Sequence, residues 1–126
     1  MIANAETKVA TTLTFGTKGG ENTLKVPLGS QLIIRAETNP STGYNWNLVG
    51  SAPSCLELIS TDYERQMSKS GKQLIGAPSV LTLRFRAVSK CTLGDLQYIY
   101  SRSWEPIEGN EPSITVHVAV TDQNEL

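Results

Sequence analysis

The sequence has few of the residues that catalysis and metal binding need. It contains one histidine and two cysteines in 126 residues, and no glycine-rich segment has the spacing of a phosphate-binding loop. The histidine, His117, lies in an alternating segment between Val116 and Val118, on the face opposite to theirs, so we expect a surface position on a strand. No cluster of carboxylates stands near a cysteine or serine in the sequence. The sequence therefore predicts a protein that is not an enzyme and has no metal site and no cofactor.

Strong net charge and long apolar runs are also missing. The 11 Lys and Arg residues nearly balance the 12 Asp and Glu residues, for a formal net charge of -1. Such a chain has no basic field for nucleic acid or for an anionic membrane. It also lacks an apolar run long enough for a membrane helix and the basic start of a signal peptide. We expect a soluble protein, cytoplasmic as it stands, or vesicular or lysosomal if a leader was removed.

The length of the chain suits one domain around one hydrophobic core. We expect that domain to span residues 1–126, with frayed termini at 1–10 and 122–126. A core of this size does not need disulfides, and Cys55 and Cys91 are too far apart for a metal-binding motif. We interpret both cysteines as free thiols in the core or at its edge, with a single disulfide as the alternative.

Alternation of apolar and polar residues is the main pattern along the chain. Helical spacing is not sustained over any segment of about twelve residues, whereas segments of period two recur throughout. The clearest segment, residues 80–88, places Leu81, Leu83 and Phe85 on one face. About seven to eight such segments without a crossover helix indicate an all-β protein, most simply an antiparallel β-sandwich of two sheets.

Turn residues suggest how the strands connect. Residues 29–30 join an expected strand at 23–28 to another at 31–37, and we expect these two strands to be antiparallel neighbours. Pro27 lacks an N–H for a ladder, which places its strand at an edge or at a bulge. A further turn is expected at residues 93–95.

A short neutral loop leads from an expected strand into two aromatic residues. Pro40 fixes its own backbone and favours an extended Asn39, and Gly43 permits a left-handed geometry. Ser41 and Thr42 can bond nearby backbone groups. A loop that already has its bound shape loses little entropy when it binds. We interpret these residues as a preformed binding loop, with an ordinary turn between strands as the alternative.

Two further loops have unusual chemistry. The long connection at residues 64–79 contains an apolar, kinked segment at 74–78, which suggests a partner surface; the alternative is that this segment folds back over the core. The other loop carries Arg102 and Trp104, which are residue types that dominate binding interfaces. Strands that alternate in direction bring all three loops to one end. We expect one binding edge there, as in antibody variable domains.

These loops resemble, in order, the three motifs of the chagasin family of cysteine peptidase inhibitors. Residues 39–44, Asn-Pro-Ser-Thr-Gly-Tyr, are similar to the family's Asn-Pro-(Thr/Ser)-Thr-Gly-(Phe/Tyr) loop. Residues 76–79 stand where the family has a Gly-x-Gly-Gly stretch, and residues 102–104 stand for its Arg-Pro-Trp. The resemblance covers about residues 21–121.

The resemblance implies an immunoglobulin-like sandwich that inserts three loops into the cleft of a papain-like cysteine peptidase. Residues 41–43 would then lie over the catalytic cysteine and histidine, residues 76–79 on the non-primed side, and Arg102 and Trp104 on the primed side. The implied function is reversible, tight-binding inhibition of cathepsin-like enzymes by a protein that is monomeric when free. The expected peptidase-binding residues are Asn39, Pro40, Ser41, Thr42, Gly43, Tyr44, Ile75, Gly76, Ala77, Pro78, Arg102 and Trp104.

A second interpretation uses the aromatic residues differently. An immunoglobulin-like adhesion or carbohydrate-binding module could stack sugars on Trp46, on Trp104 and on the tyrosines. Glycan binding that is lost in Trp104→Ala, without any effect on peptidases, would favour this alternative.

Overall fold

Eight β-strands make up the regular structure of the described part of the chain. The computed structural model describes residues 10–39, 42–64 and 79–122. Most of the termini expected to fray, 1–10 and 122–126, lie outside these ranges, although Ala10 begins the first strand. Within the same ranges, no helix has the length and apolar character needed to cross a lipid bilayer. The strands are β1 (Ala10–Phe15), β2 (Gly19–Pro27), β3 (Gln31–Thr38), β4 (Tyr44–Leu48), β5 (Leu56–Glu64), β6 (Ser79–Ala87), β7 (Cys91–Arg102) and β8 (Ser113–Thr121).

The strands form two four-stranded sheets. The first has the order β1-β3-β6-β5, and the second has the order β2-β8-β7-β4. Both sheets contribute buried residues to one hydrophobic core, to which β6 contributes Leu83 and Phe85 and β8 contributes Val116 and Val118. The prediction of an all-β sandwich of about seven to eight strands is confirmed.

Each sheet has one parallel pair at an edge, β1 with β3 and β2 with β8. The expected antiparallel pairing of β2 with β3 is wrong, because these strands lie in different sheets. The turn between them explains the difference: the N–H of Leu28 donates to the carbonyl of Thr121, the last residue of β8, at 2.8 Å, whereas the N–H of Gly29 donates to the carbonyl of Ala87, the last residue of β6, at 2.9 Å. The turn thus moves the chain from one sheet to the other. Pro27 lies in an edge strand, as expected.

The strand β7 continues through the turn expected at 93–95, so that expectation is wrong. Gly94 allows close packing rather than a reversal of the chain. A Cβ atom at this position would lie 2.9 Å from the Cβ of Pro53 and 3.1 Å from the Sγ of Cys55. The register of the pairing with β8 shifts between Cys91 and Gly94, and β7 continues beyond this point to Arg102.

Cys55 and Cys91 form a disulfide, with their Cα atoms 6.0 Å apart. Cys55 precedes β5 of the first sheet, and Cys91 begins β7 of the second sheet. The bond therefore links the two sheets. The prediction of two free thiols is wrong, and the alternative of a single disulfide is confirmed. A separation of 36 residues hid the pairing, since only the stacking of the sheets brings the two positions together.

Candidate functional site

The strands that flank the three candidate loops all end at one end of the sandwich. β3 ends at Thr38, β7 ends at Arg102, and Tyr44 at the start of β4 is paired with Arg102. The second loop lies in residues 65–78, outside the described ranges. The strand that follows it begins at Ser79, which is paired with Thr38. The connections predicted to carry the site therefore start and finish beside one another.

Short-range hydrogen bonds close the described part of the first loop. Thr42 donates twice to the carbonyl oxygen of Asn39, through its N–H at 3.1 Å and its hydroxyl at 2.8 Å. The buried Thr38 donates its hydroxyl to the carbonyl of Tyr44 at 3.2 Å, which links the strands on the two sides of the loop. Gly43 has a φ of 86°, a left-handed conformation that residues with a Cβ atom rarely adopt. These contacts fix the described residues at the two ends of the loop relative to one another.

A group of aromatic rings lies behind this loop. Tyr100 packs on Tyr44 and on Trp46, with ring centroids 5.2 and 4.8 Å away. The Tyr100 hydroxyl accepts a hydrogen bond from the N–H of Asn39 at 3.0 Å. The indole N–H of Trp46 donates to the carbonyl of Glu37 at 2.9 Å. The alternating pattern predicts that Tyr100 points inwards, but no local pattern connects it with Asn39, so sequence reasoning missed its place in the site.

The side chain of Arg102 makes three interactions with other residues that the structure describes. Its Nε donates to the carbonyl oxygen of Thr42 at 2.9 Å. Its guanidinium carbon lies 4.4 Å from the centroid of the Tyr44 ring, a cation–π contact that adds electrostatic attraction. Its Nη1 pairs with Glu105 at 3.2 Å. Arg102, which the sequence singled out for contact with a partner, thus also connects the first loop with the third.

Trp104 is a strongly exposed apolar side chain of the third loop, with 68% of its surface accessible. Its indole lies against the backbone of Gly43: a Cβ atom at Gly43 would overlap the ring, whose Cζ2 atom would be 3.0 Å away. The first and third loops therefore share one surface. An exposed tryptophan beside an ordered loop is typical of the anchors that dominate interface energies.

The structure describes half of the expected site. Pro40, Ser41, Ile75, Gly76, Ala77 and Pro78 lie outside the described residues. The other expected residues form one connected group through the contacts given above: Asn39, Thr42, Gly43, Tyr44, Arg102 and Trp104.

Trp46 does not offer a binding platform. Only 5% of its surface is accessible, and its indole N–H is bonded to the backbone of Glu37. The carbohydrate-binding alternative used both Trp46 and Trp104 as stacking platforms. Because Trp46 is buried, Trp104 is the one indole that remains exposed for that role.

His117 lies on the outward face of β8, between the buried Val116 and Val118. Its Nδ1 is 2.8 Å from Asp95 and its Nε2 is 2.7 Å from Glu21. Hydrogen bonds to Asp95, and then to Glu21, raise the pKa of His117 because they favour the imidazolium form. The two carboxylates face different ring nitrogens, so they do not converge on one metal position. No group of side chains suited to a metal ion occurs in the part of the chain that the structure describes.

The fold is a β-sandwich of two four-stranded sheets, and the described ends of the candidate loops lie together at one end of it. A sequence model of one family, described as chagasin family peptidase inhibitor I42, matches residues 25–118. The chain belongs to the chagasin family of peptidase inhibitors. Membership of this family confirms the resemblance and the prediction that the protein is not an enzyme.

Individual relatives support the same assignment. Amoebiasin-2 of Entamoeba histolytica is 32% identical over 101 residues, which cover 78% of this chain and 76% of the relative. The crystal structure of the cysteine protease inhibitor EhICP2 from Entamoeba histolytica has a TM-score of 0.69 and 27% identity, and covers 89% of this chain and 97% of that one. PbICP-C, solved in complex with falcipain-2, has a TM-score of 0.58 over 88% of this chain and 99% of that one; at 18% identity it shows the shared fold alone.

Proposed function

We propose that the protein is a reversible, tight-binding inhibitor of papain-like cysteine peptidases, and that its loops occupy the active-site cleft of the enzyme. The observation that carries the proposal is the contact between Gly43 and Trp104, through which the first and third loops form one surface. Membership of a family of peptidase inhibitors supports inhibition. The structural relative described as a cysteine protease inhibitor supports the class of target.

Inhibition of this kind requires no chemistry by the inhibitor. The catalytic cysteine of such an enzyme reacts as a thiolate beside an imidazolium, and an unpaired charge buried next to that pair would lose its hydration without compensation. The first loop is neutral at Thr42 and Gly43. A neutral loop that fills the nucleophile's site, without a carbonyl carbon at attack distance, excludes the substrate and is not cleaved.

Preorganisation of the first loop is the expected source of tight binding. Thr42 is bonded to Asn39 on one side and to Arg102 on the other. A loop restrained in this way has little conformational entropy left to lose on binding, so more of its contact energy contributes to affinity. The exposed indole of Trp104 adds apolar area that the enzyme can bury.

We propose that the second loop completes the binding edge through Ile75, Gly76, Ala77 and Pro78. The support is the position of Ser79, which directly follows this segment and is paired with Thr38 at the base of the first loop. Pro78 has no N–H. A strand-like pairing of this loop with the enzyme would therefore have one donor fewer than a loop with glycine at this position.

Inhibition of papain in a fluorogenic assay tests the proposal. The wild-type protein should inhibit at sub-micromolar concentration, whereas a chymotrypsin-like serine peptidase should stay active. Trp104→Ala should weaken inhibition by about 2 kcal/mol, which is roughly 30-fold, because a truncated hot-spot residue loses its buried area. Ile107→Ala removes another exposed apolar side chain of the same loop and is the matched control, expected to stay within about twofold of wild type.

Two results would count against this account. Active papain in the presence of micromolar wild-type protein would refute the proposed function. Equal inhibition by wild type and Trp104→Ala would remove Trp104 from the contact surface. Glycan binding that depends on Trp104, with papain unaffected, would instead favour the carbohydrate-binding alternative.

A further inference from the structure

Tyr100 lies behind the first loop and is not one of the expected binding residues. We infer that Tyr100 is a positioning residue of the inhibitor: its hydroxyl fixes the entry of the first loop, and through that loop it strengthens inhibition without touching the peptidase. The inference rests on the proposed function, which supplies the activity that the loop serves.

The Tyr100 side chain is enclosed by the protein and is not offered to a partner. Only 9% of its surface is accessible, and its ring packs on Tyr44 and Trp46. It points to the interior of the sandwich, as do Leu96 and Tyr98 earlier in β7. Any effect of Tyr100 on binding must therefore pass through the residues that it holds.

The hydroxyl of Tyr100 ties the first loop to the opposite sheet. Asn39 is the first residue after β3, whose ladder with β6 ends at Thr38. The N–H of Asn39 donates to the Tyr100 hydroxyl at 3.0 Å, across 61 positions of the chain. Because β3 belongs to the first sheet and β7 to the second, this hydrogen bond joins the two sheets at the base of the loop.

The loop has a second anchor on the same strand. Arg102, two residues after Tyr100, donates to the carbonyl of Thr42 at 2.9 Å, and Thr42 is itself bonded to Asn39. Both ends of the loop are thus held by β7. Loss of one anchor lets the loop populate shapes that do not enter the cleft, and the apparent affinity falls with the fraction that remains competent.

Tyr100→Phe tests the inference directly, since it keeps the ring and its packing and removes the acceptor for Asn39. The inhibition constant against papain should rise about fivefold to tenfold, the usual effect of losing one hydrogen bond. In the free variant, amide hydrogen exchange should become faster at Asn39 and Thr42. Exchange at Val116, in the core of β8, should be unchanged.

Tyr98→Phe is the matched control. Tyr98 lies two residues earlier in β7 and is 6% exposed. Tyr98→Phe therefore also removes one phenolic hydroxyl from a buried ring. Burial raises the pKa of Tyr98 to about 12. We expect inhibition within about twofold of wild type, whatever happens to the melting temperature. A purely structural role of Tyr100 would lower the melting temperature and leave inhibition by the folded protein unchanged.

The outcomes distinguish this inference from the proposed function. If wild type inhibits papain, equal inhibition by Tyr100→Phe overturns the inference, and so does an equal loss in Tyr98→Phe. If wild type does not inhibit papain, the proposed function fails. Hydrogen exchange of the free protein then still tests whether the Tyr100 hydroxyl anchors Asn39. Unchanged exchange at Asn39 then overturns the inference, and faster exchange confined to Asn39 and Thr42 supports the anchoring of the first loop by Tyr100.

Discussion

Gly43 combines a left-handed backbone conformation with a contact to the exposed indole of Trp104. Its φ of 86° excludes most side chains, and the indole of Trp104 occupies the space that a Cβ atom would need. Gly43→Ala should therefore displace Trp104 and weaken inhibition of papain by at least about tenfold, while the strained backbone lowers stability by about 1 kcal/mol. The inhibition constant and the melting temperature measure the two effects separately.

Gly50→Ala is the control for this prediction. Gly50 also has a positive φ, of 70°, but no atom lies within 4 Å of the position of its Cβ. It should show a similar loss of stability of about 1 kcal/mol and unchanged inhibition. Inhibition constants that are the same for Gly43→Ala and Gly50→Ala would contradict the role assigned to the contact with Trp104.

At the scale of single residues, the sequence predicts backbone conformation better than it predicts which residues contact each other. The sequence indicated that Gly43 permits a left-handed conformation, and its φ of 86° shows that it adopts one. The hydrogen bond from Asn39 to Tyr100 could not be predicted, because the two residues are 61 positions apart and no local pattern links a loop residue with a tyrosine of a distant strand. The disulfide was hidden for the same reason.

His117 connects three strands of the second sheet, because it lies on β8 and bonds Glu21 of β2 and Asp95 of β7. Its pKa is raised in the folded protein, first by Asp95 and then by Glu21. A raised folded pKa means that the stabilisation is fully present below the unfolded pKa of about 6.5 and is lost as the pH rises through the folded pKa. The hydrogen bond between His117 and Glu21 should therefore attach β2 to β8 more strongly at pH 5.5 than at pH 9.

Comparison of wild type with His117→Gln measures this effect. The melting temperature of wild type should exceed that of the variant more at pH 5.5 than at pH 9, where neutral His117 cannot donate to both carboxylates. NMR titration of the free protein should place the pKa of His117 above its ordinary value. A difference in melting temperature that is independent of pH would contradict the prediction.

The pairing of strands could be predicted only in part. Alternation predicts which residues of β2 and β3 face the core, and Val26, Leu32 and Ile34 are indeed buried. The same alternation is satisfied whether the two strands lie side by side or face each other across the core. The hydrogen bonds of Leu28 and Gly29 decide between these arrangements, and no residue pattern encodes them.

The placement of the loops follows from the course of the whole chain. The strands alternate in direction from β1 to β8, and the parallel pairs arise between strands that are not consecutive. This alternation alone predicts that the loops of Thr42 and Trp104 lie at the same end of the sandwich. The prediction does not depend on which strand pairs with β2, so the wrong neighbour expected for β2 does not affect it.

The disulfide Cys55–Cys91 stabilises the molecule far from the binding edge. Cys55 precedes Leu56, which is paired with Ala87 at the end of β6, and Cys91 starts the strand whose other end carries Arg102. Replacing both cysteines by alanine should lower the free energy of unfolding by at most about 4 kcal/mol, from the entropy of a closed loop of this length. Inhibition of papain by the folded variant should be unchanged.

Urea unfolding of wild type and of the double variant measures the stability difference, with an inhibition assay at a temperature where both are folded. An unfolding free energy that does not change would contradict the stabilising role of the disulfide. A loss of inhibition in the folded variant would show that the far end of the sandwich affects the loops.

Occlusion of the cleft is the central claim, and alkylation of the enzyme tests it most directly. Papain is treated with iodoacetamide, alone and with an equimolar amount of the protein, and the modification of its catalytic cysteine is followed by mass spectrometry. If Thr42, Gly43 and Trp104 belong to a surface that fills the cleft, the cysteine is protected, and Trp104→Ala protects it less. An alkylation rate that is unaffected by saturating wild-type protein would contradict the account.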